Sequence, residues 1–101
     1  MRMLMIAFRS SLKERVHELL HRCDVTTFTE VNETVGYGQT GPAEGLAFYP
    51  GTNCVILVAL DLERVERVSQ AVKLWCEEAV KHRGWEKPAV RVFSWPADQI
   101  V

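Results

Sequence analysis

The chain has 101 residues, 48% of them hydrophobic and 25% charged, with a formal net charge of −1. That is the composition of one folded domain spanning residues 1–101. It supplies neither the basic excess that nucleic acid or an anionic membrane surface would attract nor a run of about 20 apolar residues to cross a bilayer. Cys23, Cys54 and Cys76 are odd in number, far apart and set in apolar patterns, which suits reduced, buried thiols in a cytoplasmic protein rather than a disulfide framework.

Arg2 to Phe8 predicts a first strand that is apolar on both faces; its brevity and the polar helix pattern after it argue against a signal peptide. Ser10 or Ser11 offers a helix N-cap, and Ser11 with Glu14 forms a capping box in which each side chain reaches the other residue's free N–H. Leu12, Val16, Leu19, Leu20 and Cys23 recur at helical spacing, and the helix is expected to end near Cys23 or Asp24. Val25 to Val35, rich in Val and Thr, predicts a second strand; Glu30, Asn32 and Glu33 mark it as partly exposed, at an edge.

The stretch Val35 to Asn53, VGYGQTGPAEGLAFYPGTN, holds five of the six glycines and two of the four prolines. It is far longer than a hairpin turn, and loops of that length in small domains are usually functional or disordered. Asn53 to Leu60 then predicts a nearly unbroken apolar strand. Asp61 is a second N-cap candidate, and Val65, Val68, Val72, Trp75 and Ala79 mark the buried face of a long helix. Gly84 fits a helix terminator, Pro88 closes the connection, and Ala89 to Trp95 predicts the last strand.

The order β-α-β-β-α-β is the ferredoxin-like α+β arrangement: a four-stranded antiparallel sheet with both helices on one face and the long loop between strands 2 and 3. Its central strands are the first and third, and these are the two most continuously apolar runs. Met3, Met5 and Ala7 oppose Leu4, Ile6 and Phe8; Val55, Leu57 and Ala59 oppose Cys54, Ile56, Val58 and Leu60. Two helices cover one face only, so the other would be polar in a monomer. An apolar second face predicts a homo-oligomer that buries it, unless the long loop or the tail Pro96 to Val101 folds across it.

His17 and His21, four residues apart on the first helix, are weak metal candidates, since a closed site needs further ligands and none is adjacent in sequence. Gly36, Tyr37 and Gly38 could bring backbone N–H groups to phosphate oxygens, but no Walker pair or dinucleotide fingerprint accompanies them. Arg83, Lys87 and Arg91 form a small basic group around the last helix-to-strand turn. No nucleophile stands with a base, Glu44 is a lone loop carboxylate, and the aromatic motifs of an RNA-recognition fold are missing, so neither an enzyme nor a nucleic-acid binder is indicated.

With these elements in place the chain resembles the PII-like superfamily, most sharply from Gly36 through Leu60, where Phe48-Tyr49-Pro50-Gly51-Thr52-Asn53 runs into the apolar strand. It departs from the nitrogen-regulatory members, lacking their tyrosine-modified loop motif and their glycine-rich segment before the last strand. Ala47 stands where short relatives often carry His. The resemblance implies a trimeric signalling or sensory protein with no required cofactor. Its ligand would be an adenine nucleotide or a small anion such as bicarbonate, bound in clefts between subunits near the base of the loop.

On that reading the ligand-binding candidates are Gly36, Tyr37, Gly38 and Gln39 at the first loop root, Tyr49, Gly51 and Asn53 at the second, and Arg83, Lys87 and Arg91 from the last turn. Loop 36–53 would order on ligand binding and change the surface shown to a partner protein. The alternatives are a metal-responsive protein of the CutA branch and a small dimeric α/β-barrel enzyme with its pocket between sheet and helices.

Overall fold

The computed structural model describes residues 1–35, 53–83 and 87–101. Four strands, β1 (Arg2–Arg9), β2 (Thr29–Thr34), β3 (Asn53–Leu60) and β4 (Val90–Pro96), alternate with two helices, α1 (Lys13–Arg22) and α2 (Leu62–Arg83). The sheet order is β2-β3-β1-β4, and every neighbouring pair is antiparallel. The two apolar runs, β1 and β3, occupy the centre and pair in full register from Arg2↔Leu60 to Arg9↔Asn53. β1 and β2 are thus parallel and separated by β3, and β3 and β4 are parallel and separated by β1. Right-handed crossovers between such strands bring both helices to the same face, as the ferredoxin-like order requires.

The core is the layer between that face and the helices. Leu4, Ile6 and Phe8 of β1 meet Cys54 and Ile56 of β3, Val16, Leu19 and Leu20 of α1, and Val65, Val68 and Val72 of α2. Burying a Leu or Ile side chain contributes about 1.5–3 kcal/mol, so this single cluster is the main favourable term in folding. Trp75 lies at its margin, half-buried, with the Arg15 guanidinium 5.6 Å from its ring centre.

The ends of the helices show where local pattern and tertiary context differ. Asp61 caps α2 as expected: its Oδ1 accepts from the Arg64 N–H at 3.1 Å, and its carbonyl accepts from Val65. The Ser11–Glu14 capping box does not form. The chain enters α1 through a 3-10 turn, Ser10–Leu12, in which the Lys13 N–H bonds the Ser10 carbonyl. Leu12, with no capping side chain, therefore stands at the N-cap of α1. Ser10 does not cap either, since its hydroxyl lies 3.4 Å from the Cys54 Sγ.

At its other end α1 closes on a Schellman motif. The Asp24 N–H bonds the His21 carbonyl, and the Val25 N–H bonds the Leu20 carbonyl at 2.9 Å. Asp24 takes the left-handed conformation, φ 60°, that glycine usually fills there. Its carboxylate accepts a hydrogen bond from Arg67 at 3.1 Å. This closure accounts for the late start of β2: Val25 is consumed in capping the helix, so the strand begins at Thr29 rather than at Val25. β4 likewise runs one residue later than its pattern, from Val90 to Pro96.

Candidate ligand site at the loop-root end of the sheet

Alternation along the strands assigns each residue to a face, and register then assigns it to an end. Opposite the helices lie Met3, Met5 and Ala7 of β1, Val55, Leu57 and Ala59 of β3, Val31 of β2, and Phe93 and Trp95 of β4. No described helix covers them. Phe93 keeps 49% of its surface, Val31 45% and Trp95 40%. Nor does the tail bury its own apolar residues here, because Ile100 and Val101 are exposed. The apolar second face expected from sequence is therefore present and open on the described residues.

At one end this face changes character. Asn53, the first residue of β3, pairs with Arg9 on one side and Thr34 on the other. Arg91 pairs with Ala7, which in turn pairs with Val55, so Arg91 is one diagonal step from Arg9 on the same face. The Arg9 N–H also bonds the Ala89 carbonyl at 3.1 Å, joining the start of β4 to this end. Two of the sequence candidates, Asn53 and Arg91, are thereby brought to the same end. Lys87 is exposed in the connection leading to it, and Arg83 is the last residue of α2. Gly36, Tyr37, Gly38, Gln39, Tyr49, Gly51 and the terminator Gly84 lie outside the described residues.

Beneath Asn53 the two loop roots are held by a polar cluster that sequence reading missed. The Cys54 thiol donates to the Asn32 Oδ1 at 3.3 Å and also meets the Ser10 hydroxyl. Val31 faces Val55 and Thr34 faces Asn53, so Asn32 and Glu33 together stand against Cys54 alone. This is a β-bulge at the last rung before the loop. Glu33 is in the left-handed region with φ 56°, an uncommon conformation for a residue with a Cβ. A bulge of this kind bends the strand and re-aims the chain leaving the sheet.

The remaining candidates resolve as follows. His17 is half-buried, and its Nε2 lies 2.6 Å from the Glu30 Oε1 of β2, with Lys13 3.8 Å from the other carboxylate oxygen and Phe28 against the imidazole ring. The contact ties α1 to the edge strand. His21 is exposed, and no group of three or more His, Cys, Asp or Glu gathers among the described residues. All three cysteines are free, with Cys23 and Cys54 buried. Burial pushes the Cys23 and Cys76 thiols above their ordinary pKa, outweighing the nearby cations Arg67 and Lys87. No described helix is long and apolar enough to cross a membrane.

Arg9 is the other residue the sequence reading passed over. The signal was available: a cation directly after the apolar run, in step with Met3, Met5 and Ala7 and so on the face opposite Leu4, Ile6 and Phe8. What sequence lacked was the partner strand that places it beside Arg91.

The whole arrangement, order β2-β3-β1-β4 with the long insertion after β2, can be set against solved structures. CPII, a nitrogen regulatory PII-like protein from Thiomonas intermedia K12, bound to ADP, AMP and bicarbonate, aligns over 99% of this chain and 94% of its own, with TM-score 0.62 and 20% identity. The fold is PII-like. The apo form of CPII superposes with TM-score 0.65 at 19% identity, covering 93% of this chain and 85% of that one. A PII-like signalling protein from Thermus thermophilus superposes with TM-score 0.62 at 21% identity, covering 93% and 82%. No protein-family model matches the chain, and no curated protein matches it. A PII-like fold at about one-fifth identity explains why architecture is shared where few side chains are.

Proposed function

We propose that this protein is a PII-like ligand sensor. It assembles through its open sheet face, binds an adenine nucleotide or small anion at the clefts so formed, and presents loop 36–53 to a partner protein. The observation that carries this reading is the open face itself: a broad apolar surface that ends, at the roots of the long loop, in Arg9, Asn53, Thr34 and Arg91. An apolar patch of this breadth is an interface in most soluble proteins. Burying it against other copies would set the polar end of one subunit at a subunit boundary, where a ligand could contact two chains. A trimer is the assembly we assign, in keeping with the resemblance.

The ligand class is supported by the structural neighbours, of which CPII has been solved with ADP and bicarbonate, and with ADP, AMP and acetate. The role we assign is regulatory, in keeping with the resemblance and with the PII-like signalling protein among the structural neighbours. Free thiols suit the reducing cytoplasm. Gly36, Tyr37, Gly38, Gln39, Tyr49 and Gly51 would contribute from the loop, with Arg83 and Lys87 approaching from the α2–β4 connection.

The test joins light scattering with a thermal-shift panel of AMP, ADP, ATP, cyclic AMP, bicarbonate and divalent metals. A ligand that binds only the folded state raises the melting temperature in proportion to the logarithm of its concentration over Kd. A trimer with a selective rise for one nucleotide or anion is the expected result. A dimer enclosing an internal cavity would favour the barrel-enzyme architecture instead, and a rise with metal alone, lost in His17→Ala or His21→Ala, would favour metal sensing.

A further inference from the structure

We infer that Cys54 is a positioning residue for the loop-root end of the sheet. A hydrogen-bond chain from Ser10 through Cys54 to Asn32 holds the β2 bulge, and the bulge decides that Thr34, not Glu33, stands beside Asn53 on the open face. The inference stands apart from the sensor reading and does not depend on it. Alternation is the first argument. Thr29 and Val31 occupy open-face positions, so an unbroken strand would send Glu33 to that face, opposite Asn53. The register shift between Val31 and Thr34 leaves Glu33 as the extra residue and gives its place to Thr34. A hydroxyl thus takes the position of a carboxylate at the end of an apolar face, where an acidic side chain would have to be desolvated in any assembly that covers it.

Strain is the second argument. Glu33 holds φ 56°, a conformation crowded by its Cβ. Asn32, Glu33 and Thr34 put polar side chains on both faces of the strand end, a pattern that specifies register weakly. A residue with a Cβ keeps the left-handed conformation only where its surroundings over-determine it. The third argument is the group placed to do so. Cys54 is 1% exposed, and its thiol donates to the Asn32 Oδ1 at 3.3 Å. A thiol has one proton. With that proton directed at Asn32, the Ser10 hydroxyl, 3.4 Å from the sulfur, is the donor to Cys54. Ser10 belongs to the 3-10 turn that enters α1, and α1 is packed in the core. The chain therefore runs in one direction, from the entry of α1 through a buried thiol to the bulge, and it anchors the exit of an edge strand to the interior.

The experiment reads register directly. Backbone cross-peaks between β2 and β3 are recorded by nuclear Overhauser spectroscopy on the full chain, for wild type, Cys54→Ser, Cys54→Ala and Asn32→Ala, with circular dichroism confirming the fold of each. Wild type should show Thr34–Asn53 cross-peaks. Cys54→Ala and Asn32→Ala should lose them, wholly or in part, to Glu33–Asn53 cross-peaks. Cys54→Ser should keep the wild-type pattern, because a hydroxyl both donates and accepts in the same place. Should Cys54→Ala fail to fold, Asn32→Ala carries the test, since its side chain lies outside the core cluster. Thr34–Asn53 contacts that persist unchanged in a folded Cys54→Ala or Asn32→Ala overturn the inference. So does a Cys54→Ser that shifts as far as Cys54→Ala, which would make the volume of the sulfur, not its hydrogen bonds, the feature that holds the bulge. The sensor reading is judged separately, by melting shifts with ligand, and survives either result.

Discussion

On the helix-covered face of the sheet Leu4, Ile6, Cys54 and Ile56 are almost wholly removed from solvent, while on the opposite face Phe93 keeps 49% of its surface and Trp95 40%. Both faces of both central strands are built from the same kinds of residue. The difference between them lies in connectivity, since two right-handed crossovers deliver both helices to one side and none to the other. The open face is thus an apolar surface that no described helix covers, and its polar end coincides with the roots of the long loop.

If the covered face carries the stability, Ile56→Ala is the most damaging change considered. Removing a fully buried Ile from a packed core costs about 2–5 kcal/mol, read as a lower urea midpoint with unchanged slope. A cost near zero would mean that the helix layer is not the true core. The mirror experiment is Phe93→Asp. A charge there should leave circular dichroism unchanged but reduce the mass in light scattering to the 11.5 kDa of one chain. An assembly that survives this substitution would place the subunit interface elsewhere.

Smaller changes refine the same contrast. Asp61→Ala removes the cap of a helix that serves the covered face, so stability should fall by about 1 kcal/mol with no change in assembly mass. The raised Cys23 and Cys76 thiols give a pH test. The folded state holds these protons more tightly than the unfolded chain. Their contribution is therefore complete below the ordinary thiol pKa of about 8.5 and is lost as pH rises through the folded values. Urea midpoints should decline on the alkaline side, and less steeply in Cys23→Val. The smallest expected effect is at the bulge, where Glu33→Gly relieves a left-handed residue and gains about 0.5 kcal/mol, after the entropy that glycine adds to the unfolded chain.

How much of this is legible in the sequence varies with the range of the interaction. The capping of α2 by Asp61 is readable because cap and helix are three residues apart. The capping box at Ser11 misleads although it too is local, because the chain enters α1 through a 3-10 turn that places Leu12 at the N-cap, while the neighbouring Ser10 hydroxyl meets Cys54, 44 residues away. Two of the candidate residues, Asn53 and Arg91, come together as element order suggests. Arg9 escapes notice, since nothing near it in sequence marks it as their neighbour.

The sequence by itself determined the element order, the central position of the two apolar strands and the presence of an apolar face with no helix to cover it. Those properties follow from periodicities of 2 and 3.6 residues that each segment carries alone. Only the tertiary structure decided the β2 bulge at Asn32 and Glu33, the His17–Glu30 tie between α1 and the edge strand, the closure of α1 on Asp24 with Arg67, and the meeting of Arg9, Asn53, Thr34 and Arg91 at one end of the sheet. Each of these depends on register between distant segments, and register is set by packing of the whole domain, which no single segment encodes.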